Sequence, residues 1–219
     1  MSVADLSRSR LYGILDLGYV AAADAERVAR QMIEGGVDLI QLRAKGHSPA
    51  EISRIALGLL PITRDRGVPL LINDHAEIAG ALQADGVHVG QDDPPIAEVR
   101  SAAGPNCVVG KSTHSLDQAI RAFYEGADYI GFGPIFATPT KPTYPPIGLS
   151  DIKRVHEEVS LPIFCIGGIK LDNLPEVIEA GARRVVIVSG LLESANVANY
   201  ARSAKALLNR KSEIENRNL

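Results

Sequence analysis

The sequence predicts a single-domain α/β protein of the (β/α)8, or TIM, barrel class, and three observations predict it. Eight short runs rich in leucine and β-branched residues recur along the 219 residues, separated by stretches whose apolar residues fall at three- and four-residue spacing. The runs are continuously apolar, with little alternation, which is the pattern of parallel strands packed on one side and covered by helices on the other. Eight such units suit a small closed barrel better than an open doubly wound sheet, which usually has fewer strands.

Taken in order, LYGIL (11–15) is followed by a helical pattern over 24–34, and VDLIQLR (37–43) by one over 49–66. VPLLIND (68–74) and GVHVGQ (86–91) lead to a helix over 96–103, and CVVGKS (107–112) to one over 115–125. YIGFG (129–133) opens into a long loop before a helix over 150–159, LPIFCIGG (161–168) precedes one over 174–180, and RRVVIVSG (183–190) is the eighth strand. The domain spans 1–219, with about 1–10 and 210–219 read as flexible or helical extensions; the polar tail NRKSEIENRNL either frays or lengthens the last helix. EGGVDLIQLR, QADGVHVG, EGADYIGFG and EAGARRVVIVSG resemble one another, each placing glycine or a small residue at a helix end just before a strand. A left-handed cap costs glycine little there, so these junctions are assigned to the stability face of the barrel.

A hydrophobic content of 46% and a charged content of 22% fit one domain with a full core. Net charge is -3 and no basic block stands apart, so no nucleic-acid footprint is visible and the expected ligand is small. Cys107 and Cys165 both lie inside apolar runs and read as reduced, buried thiols, which favours the cytoplasm. The N-terminus lacks a basic stretch followed by a long apolar one, and no run of about 18 apolar residues occurs, so neither export nor membrane spanning is expected.

Parallel barrels carry their chemistry at the carboxyl ends of the strands. The second strand ends in Gln41, Arg43 and Lys45, the third in Asn73 and Asp74, the fourth in Gln91, Asp92 and Asp93, and the fifth in Lys111, Ser112 and His114. Asp74 and Asp93 supply hard oxygen ligands from adjacent strands, and two carboxylates completed by substrate phosphate oxygens are typical of Mg2+. Arg43, Lys45 and Lys141 then surround the other side of an anion, a diphosphate cradle. The alternative is that Arg43 and Lys45 merely pair with the two aspartates across the barrel rim. Gly167-Gly168 and Ser189-Gly190, after the last two strands, suit a second phosphate, as loops there do in many such barrels; the alternative is a tight turn. GPIFATPTKPTYPP, after the sixth strand, is too long for an ordinary connection and reads as a lid that aims Lys141 inward and offers the hydroxyls of Thr138 and Thr140. A bland surface excursion is its alternative.

The ordered set QLRAK, IND, ADGVHVGQDD, GKSTHS, GADYIGFGPIFATPTK and IGGI resembles the thiamine phosphate synthase family over nearly the whole chain. The resemblance implies a barrel that joins a hydroxymethylpyrimidine diphosphate to a thiazole phosphate, releasing pyrophosphate. It implies that Gln41, Arg43, Lys45 and Asn73 contact the pyrimidine diphosphate, Asp74 and Asp93 hold Mg2+, and Lys141 meets the diphosphate. Ser112 matches the serine near pyrimidine and pyrophosphate, and Thr138, Pro139, Thr140, Gly168, Val188 and Ser189 match the thiazole phosphate pocket. Arg43, Lys45, Ser112 and Lys141 are the implied catalytic group. In the family's mechanism pyrophosphate leaves first and the thiazole nitrogen captures a pyrimidine-stabilised cation, which asks for leaving-group stabilisation and exclusion of water, not for a general base.

This chain departs from the family at His75, at ILDL in place of a more usual polar end of strand one, and at VSGLL in the last strand. The rival within the family is a thiazole tautomerase, whose relatives carry a histidine in the sixth-strand segment where Pro134 stands; a non-catalytic phosphate-binding barrel is a third reading. A homo-oligomer is compatible with all three. Of the histidines, His88 reads as an inward barrel-filling residue with one hydrogen bond, His114 as a support for the loop, His47 and His156 as solvent-facing, and His75 as near the diphosphate.

Overall fold

The computed structural model describes residues 3–138 and 144–217. Strands β1 (Leu11–Asp16), β2 (Leu39–Arg43), β3 (Leu70–Asn73), β4 (Gly86–Val89), β5 (Val108–Thr113), β6 (Tyr129–Phe132), β7 (Ile163–Cys165) and β8 (Val185–Ile187) close in sequence order into one parallel barrel. The predicted fold class is therefore the observed one, although most strands are shorter than the apolar runs that announced them. Helix α1 (Val3–Arg8) precedes β1, and α2 (Ala25–Glu34) and α3 (Pro49–Asp65) follow β1 and β2. Next come α4 (Ala76–Ala81), α5 (Ile96–Ala103), α6 (Leu116–Tyr124), α7 (Ile152–Glu158) and α8 (Leu174–Glu179), one after each of β3 to β7; α9 (Ser189–Leu192) and α10 (Val197–Arg217) follow β8.

Helix starts follow local chemistry. Ser48 and Glu51 form a reciprocal capping box ahead of Pro49, which spares α3 an unsatisfied donor in its first turn. Ser115 caps α6 by accepting the N–H of Gln118. Pro61 sits inside α3 on its exposed face without ending the helix, because Ile52, Ile55, Ala56, Leu59, Ile62 and Thr63 bury the opposite face along the whole length.

The alternation of side chains along each strand separates two cores. Residues facing the helices form the outer one, while Tyr12, Leu39, Leu71, Val108, Tyr129, Phe164 and Val186 fill the barrel interior. Leu6 of α1 belongs to that interior cluster and is fully buried, so α1 closes the amino-terminal end.

The four similar junctions lie at that end, as expected. Gly36, Gly126 and Gly181 take left-handed backbone there, with φ of 87°, 88° and 111°, but in the second junction Gln83 does so, with φ of 52°. The likeness also has a side-chain basis that spacing did not reveal. Asp38 Oδ2 accepts the N–H groups of Arg10 (2.7 Å) and Leu11 (2.8 Å), Asp85 Oδ2 that of Leu70 (2.9 Å), and Asp128 Oδ2 that of Val109 (2.7 Å). Each aspartate thus clasps its own strand to the one before it. In the fourth junction Arg184 stands at this place and donates instead to Ser7 O of α1 (2.6 Å). Among the described residues no helix is long and apolar enough to cross a membrane.

Candidate active site at the barrel mouth

At the carboxyl ends of the strands the barrel opens into a cleft of about 780 Å³, continuous with solvent. Gln41 and Arg43 reach it from β2, Asn73 from β3, and Ser112 from β5. Thr138 enters from the loop after β6, Gly168 from the end of β7, and Val188 and Ser189 from the end of β8. These predicted site residues, scattered over 149 positions of sequence from 41 to 189, therefore line one space. Lys45, Asp74 and Asp93 do not line it; they stand in the loops beyond β2, β3 and β4. Lys111 is buried and faces away from the cleft, alternating with Ser112. Pro139, Thr140 and Lys141 lie outside the described residues.

The charges are organised differently from a simple rim of pairs. Arg43 Nη1 donates to Asp16 Oδ2 at 2.6 Å, with the two side chains 17% and 2% exposed. Its partner is thus neither of the aspartates weighed from sequence, and strand one does have a polar end: Asp16, inside the ILDL run, is the last residue of β1 and also accepts the N–H of Gly18 (2.9 Å). Lys45 does pair with Asp74, through a stem that leaves it largely exposed. Asp74 adopts φ of 65°, left-handed backbone that an aspartate tolerates better than most residues, while its N–H donates to His88 O (2.9 Å). Asp93 Oδ2 accepts the N–H of Gly90 at 2.5 Å. A carboxylate has about four lone-pair sites, so both aspartates keep acceptor capacity for a cation.

The loop after β6 is docked at both stems. Ile135 N donates to Ile166 O (2.8 Å), Phe136 N to Gly167 O (3.0 Å), and on the return Ile147 N donates to Pro134 O (2.8 Å). This close approach explains the glycine pair: a Cβ on Gly167 would fall 2.4 Å from Pro134 Cβ, and one on Gly168 2.7 Å from Phe136 Cβ. His114 supports the same loop, as expected, bonding Gly133 O through Nδ1 and stacking on Tyr144 with ring centroids 4.1 Å apart. His88 departs from expectation: it makes two hydrogen bonds, to Tyr129 Oη (2.9 Å) and to Ser112 Oγ (3.0 Å). His47 and His156 are half-buried, not solvent-facing, and His75 stands at the N-cap position of α4 with its ring turned to Glu77 (3.2 Å), making no side-chain cap bond. Gln91 Nε2 donates to Ser112 O (2.5 Å), tying the fifth strand end to the fourth.

Sequence reasoning passed over Asp16, Tyr12 and Tyr129. The available signal was polarity inside an apolar strand: a buried phenol or carboxylate needs a partner, and here each has one. Cys107 and Cys165 are free and buried, and burial pushes their thiols up to about 11 and about 12.

A family model described as thiamine monophosphate synthase matches residues 11–191. A thiamine-phosphate synthase of Chloroflexus aurantiacus is 42% identical over 95% of this chain and 96% of its own, and one of Shouchella clausii is 40% identical over 93% and 98%. Among solved structures, a thiamine phosphate pyrophosphorylase of Pyrococcus furiosus superposes with a TM-score of 0.85 at 30% identity, covering 94% of this chain and 98% of that one. With its strand-end residues gathered in one cleft and its likeness running almost end to end, the chain belongs to the thiamine monophosphate synthase family, whose members are transferases.

Proposed function

We propose that the chain condenses a hydroxymethylpyrimidine diphosphate with a thiazole phosphate to give thiamine phosphate and pyrophosphate. The observation that carries this reading is the convergence of Gln41, Arg43, Asn73 and Ser112 on one side of the cleft with Gly168, Val188 and Ser189 on the other. The first group suits a pyrimidine and its diphosphate. The second surrounds the start of a short helix after β8, a common phosphate position in such barrels. Pro134 occupies the cleft wall where a tautomerase would need its histidine, which favours coupling over isomerisation.

The residues present fit Mg2+. No group of three or more His, Cys, Asp or Glu side chains able to hold a metal occurs among the described residues. On this reading Asp74 and Asp93 would be the two carboxylates, with the remaining positions left to phosphate oxygens and water, as magnesium sites usually do. When bound, the ion supplies charge neutralisation to the departing diphosphate. Arg43, fixed by Asp16, holds one orientation for the anion, and Lys45 is free to exchange Asp74 for phosphate because its stem is exposed. The resemblance assigns Lys141 to the diphosphate, and the docked stems of its loop would limit water near the reacting carbon. A cytoplasmic place of action suits the two buried, reduced thiols.

Mixing the purified protein with both phosphorylated heterocycles and Mg2+ should yield pyrophosphate and thiamine phosphate, and a chelator should stop it. Lys141→Ala should slow coupling by about 10²- to 10³-fold with the circular dichroism spectrum unchanged. Thiazole isomerisation with no diphosphate consumed would overturn the reading.

A further inference from the structure

A continuous hydrogen-bond chain crosses the barrel interior beneath the cleft. Gln41 Nε2 donates to the Tyr12 hydroxyl, which lies 3.2 Å from the Tyr129 hydroxyl. Tyr129 Oη lies 2.9 Å from His88 Nδ1, and His88 Nε2 lies 3.0 Å from Ser112 Oγ. Its two ends, Gln41 on β2 and Ser112 on β5, both line the cleft, while Tyr12 and Tyr129 are 1% and 0% exposed. Space for the chain is built in: a Cβ on Gly110 would fall 2.0 Å from Tyr129 Cζ, so β5 omits a side chain where the ring passes.

With Gln41 Nε2 on the Tyr12 hydroxyl, the protons along the chain take one direction. An amide nitrogen only donates, so Tyr12 accepts from Gln41 and must give its single proton to Tyr129. Tyr129 in turn gives its proton to His88 Nδ1, which leaves the neutral imidazole protonated on Nε2, donating to Ser112 Oγ. Burial raises both phenols above their ordinary range, Tyr12 and Tyr129 alike, so each keeps the proton this scheme requires. What remains at the two ends differs: Gln41 Oε1 is left only to accept, while the Ser112 hydroxyl keeps its proton and one lone pair.

We propose that Tyr12, Tyr129 and His88 are positioning residues that lock this polarity, so that the cleft presents the Gln41 carbonyl oxygen to the heterocycle as a fixed acceptor. The proposal rests on the synthase reading only for the identity of that heterocycle, an aminopyrimidine whose amino group donates and whose ring nitrogen accepts. A 4-oxo analogue replaces that amino donor with a carbonyl and sets acceptor against acceptor at Gln41, a mismatch that sites of this kind reject strongly. Reversing one end requires every proton between Gln41 and Ser112 to move together.

The test reads the chain directly and through selectivity. Long-range ¹H–¹⁵N spectra of the uniformly labelled free protein, with His88 assigned by a His88→Gln variant, should show the imidazole neutral and protonated on Nε2 at pH 7.5. Tyr129→Phe should abolish that single tautomer. It should also reduce, by about tenfold or more, the preference in calorimetric binding for the 4-aminopyrimidine monophosphate over its 4-oxo analogue. Phe164→Leu, in the same interior layer but outside the chain, should lower stability and leave both readouts in place. Tyr12→Phe serves the same purpose should Tyr129→Phe not fold. A wild-type His88 protonated on Nδ1, or a Tyr129→Phe variant with tautomer and selectivity intact, overturns the proposal. Failure to form thiamine phosphate overturns the synthase reading instead, while the tautomer still decides the chain.

Discussion

Arg43 and Lys45 stand two residues apart at one strand end, yet different physics holds each of them. Arg43 is mostly buried against Asp16, and removing one partner of such a pair leaves a charge without compensation. Asp16→Ala should therefore lower stability by about 3–5 kcal/mol, seen as an earlier urea midpoint at unchanged m-value. Activity should fall with it, because Arg43 loses its tether. A loss within about 1 kcal/mol, the scale of an exposed pair, would show that water reaches the guanidinium. The contrast explains what could be read from sequence. Gln41, Arg43, Asn73 and Ser112 were legible because polar residues that interrupt an apolar run at a strand end stand out. Asp16 was not, since a lone acid between Leu15 and Leu17 has no periodicity and its partner lies on another strand. His47 and His156 misled for a related reason: a helix or loop residue's neighbours across the fold decide its burial, and local pattern does not contain them.

Among the elements, α3 carries a cost that its packing overcomes. Pro61 lacks the N–H that would donate to Leu57 O, and its ring crowds that carbonyl. Pro61→Ala should restore the bond, offset in part by a freer unfolded chain worth about 0.4–1 kcal/mol. A net gain of about 1–2 kcal/mol is expected, or a rise of about 2–8 °C in calorimetric Tm. A lower Tm would mean that the unfolded-chain effect dominates. Spacing predicted α3 across this proline correctly because the buried stripe continues past it, and α5 was found at its observed bounds, 96–103. It did not single out α4, whose six residues are too few for a repeat to register. The junction glycines were legible as left-handed caps, but Gln83 does the same work in one of them, held by the turn around it rather than by its own preference.

For the molecule as a whole, several buried acids hold their protons more tightly in the folded chain than in the unfolded one. Burial raises Cys165 to about 12 and Cys107 to about 11 from an ordinary 9.0, and lifts Tyr12 and Tyr129 above the usual phenol range. The unfolded chain releases those protons first, so above about pH 9 it binds fewer than the native state, and stability falls as pH rises toward 12. Equilibrium unfolding at pH 7, 9 and 10.5 should show a flat first interval and a declining second; a constant free energy across all three would mean the thiols and phenols are hydrated. Eight apolar runs were enough to foresee the barrel, whereas the clasps of Asp38, Asp85 and Asp128 were visible only as a recurring phrase, because sequence shows repetition but not the N–H groups it serves. Leu6 and the aromatic filling of the interior leave the barrel sealed at its amino-terminal end. A blind alley imposes a queue: the molecule that travels to the floor must arrive before whatever lodges near the doorway, and it departs after it.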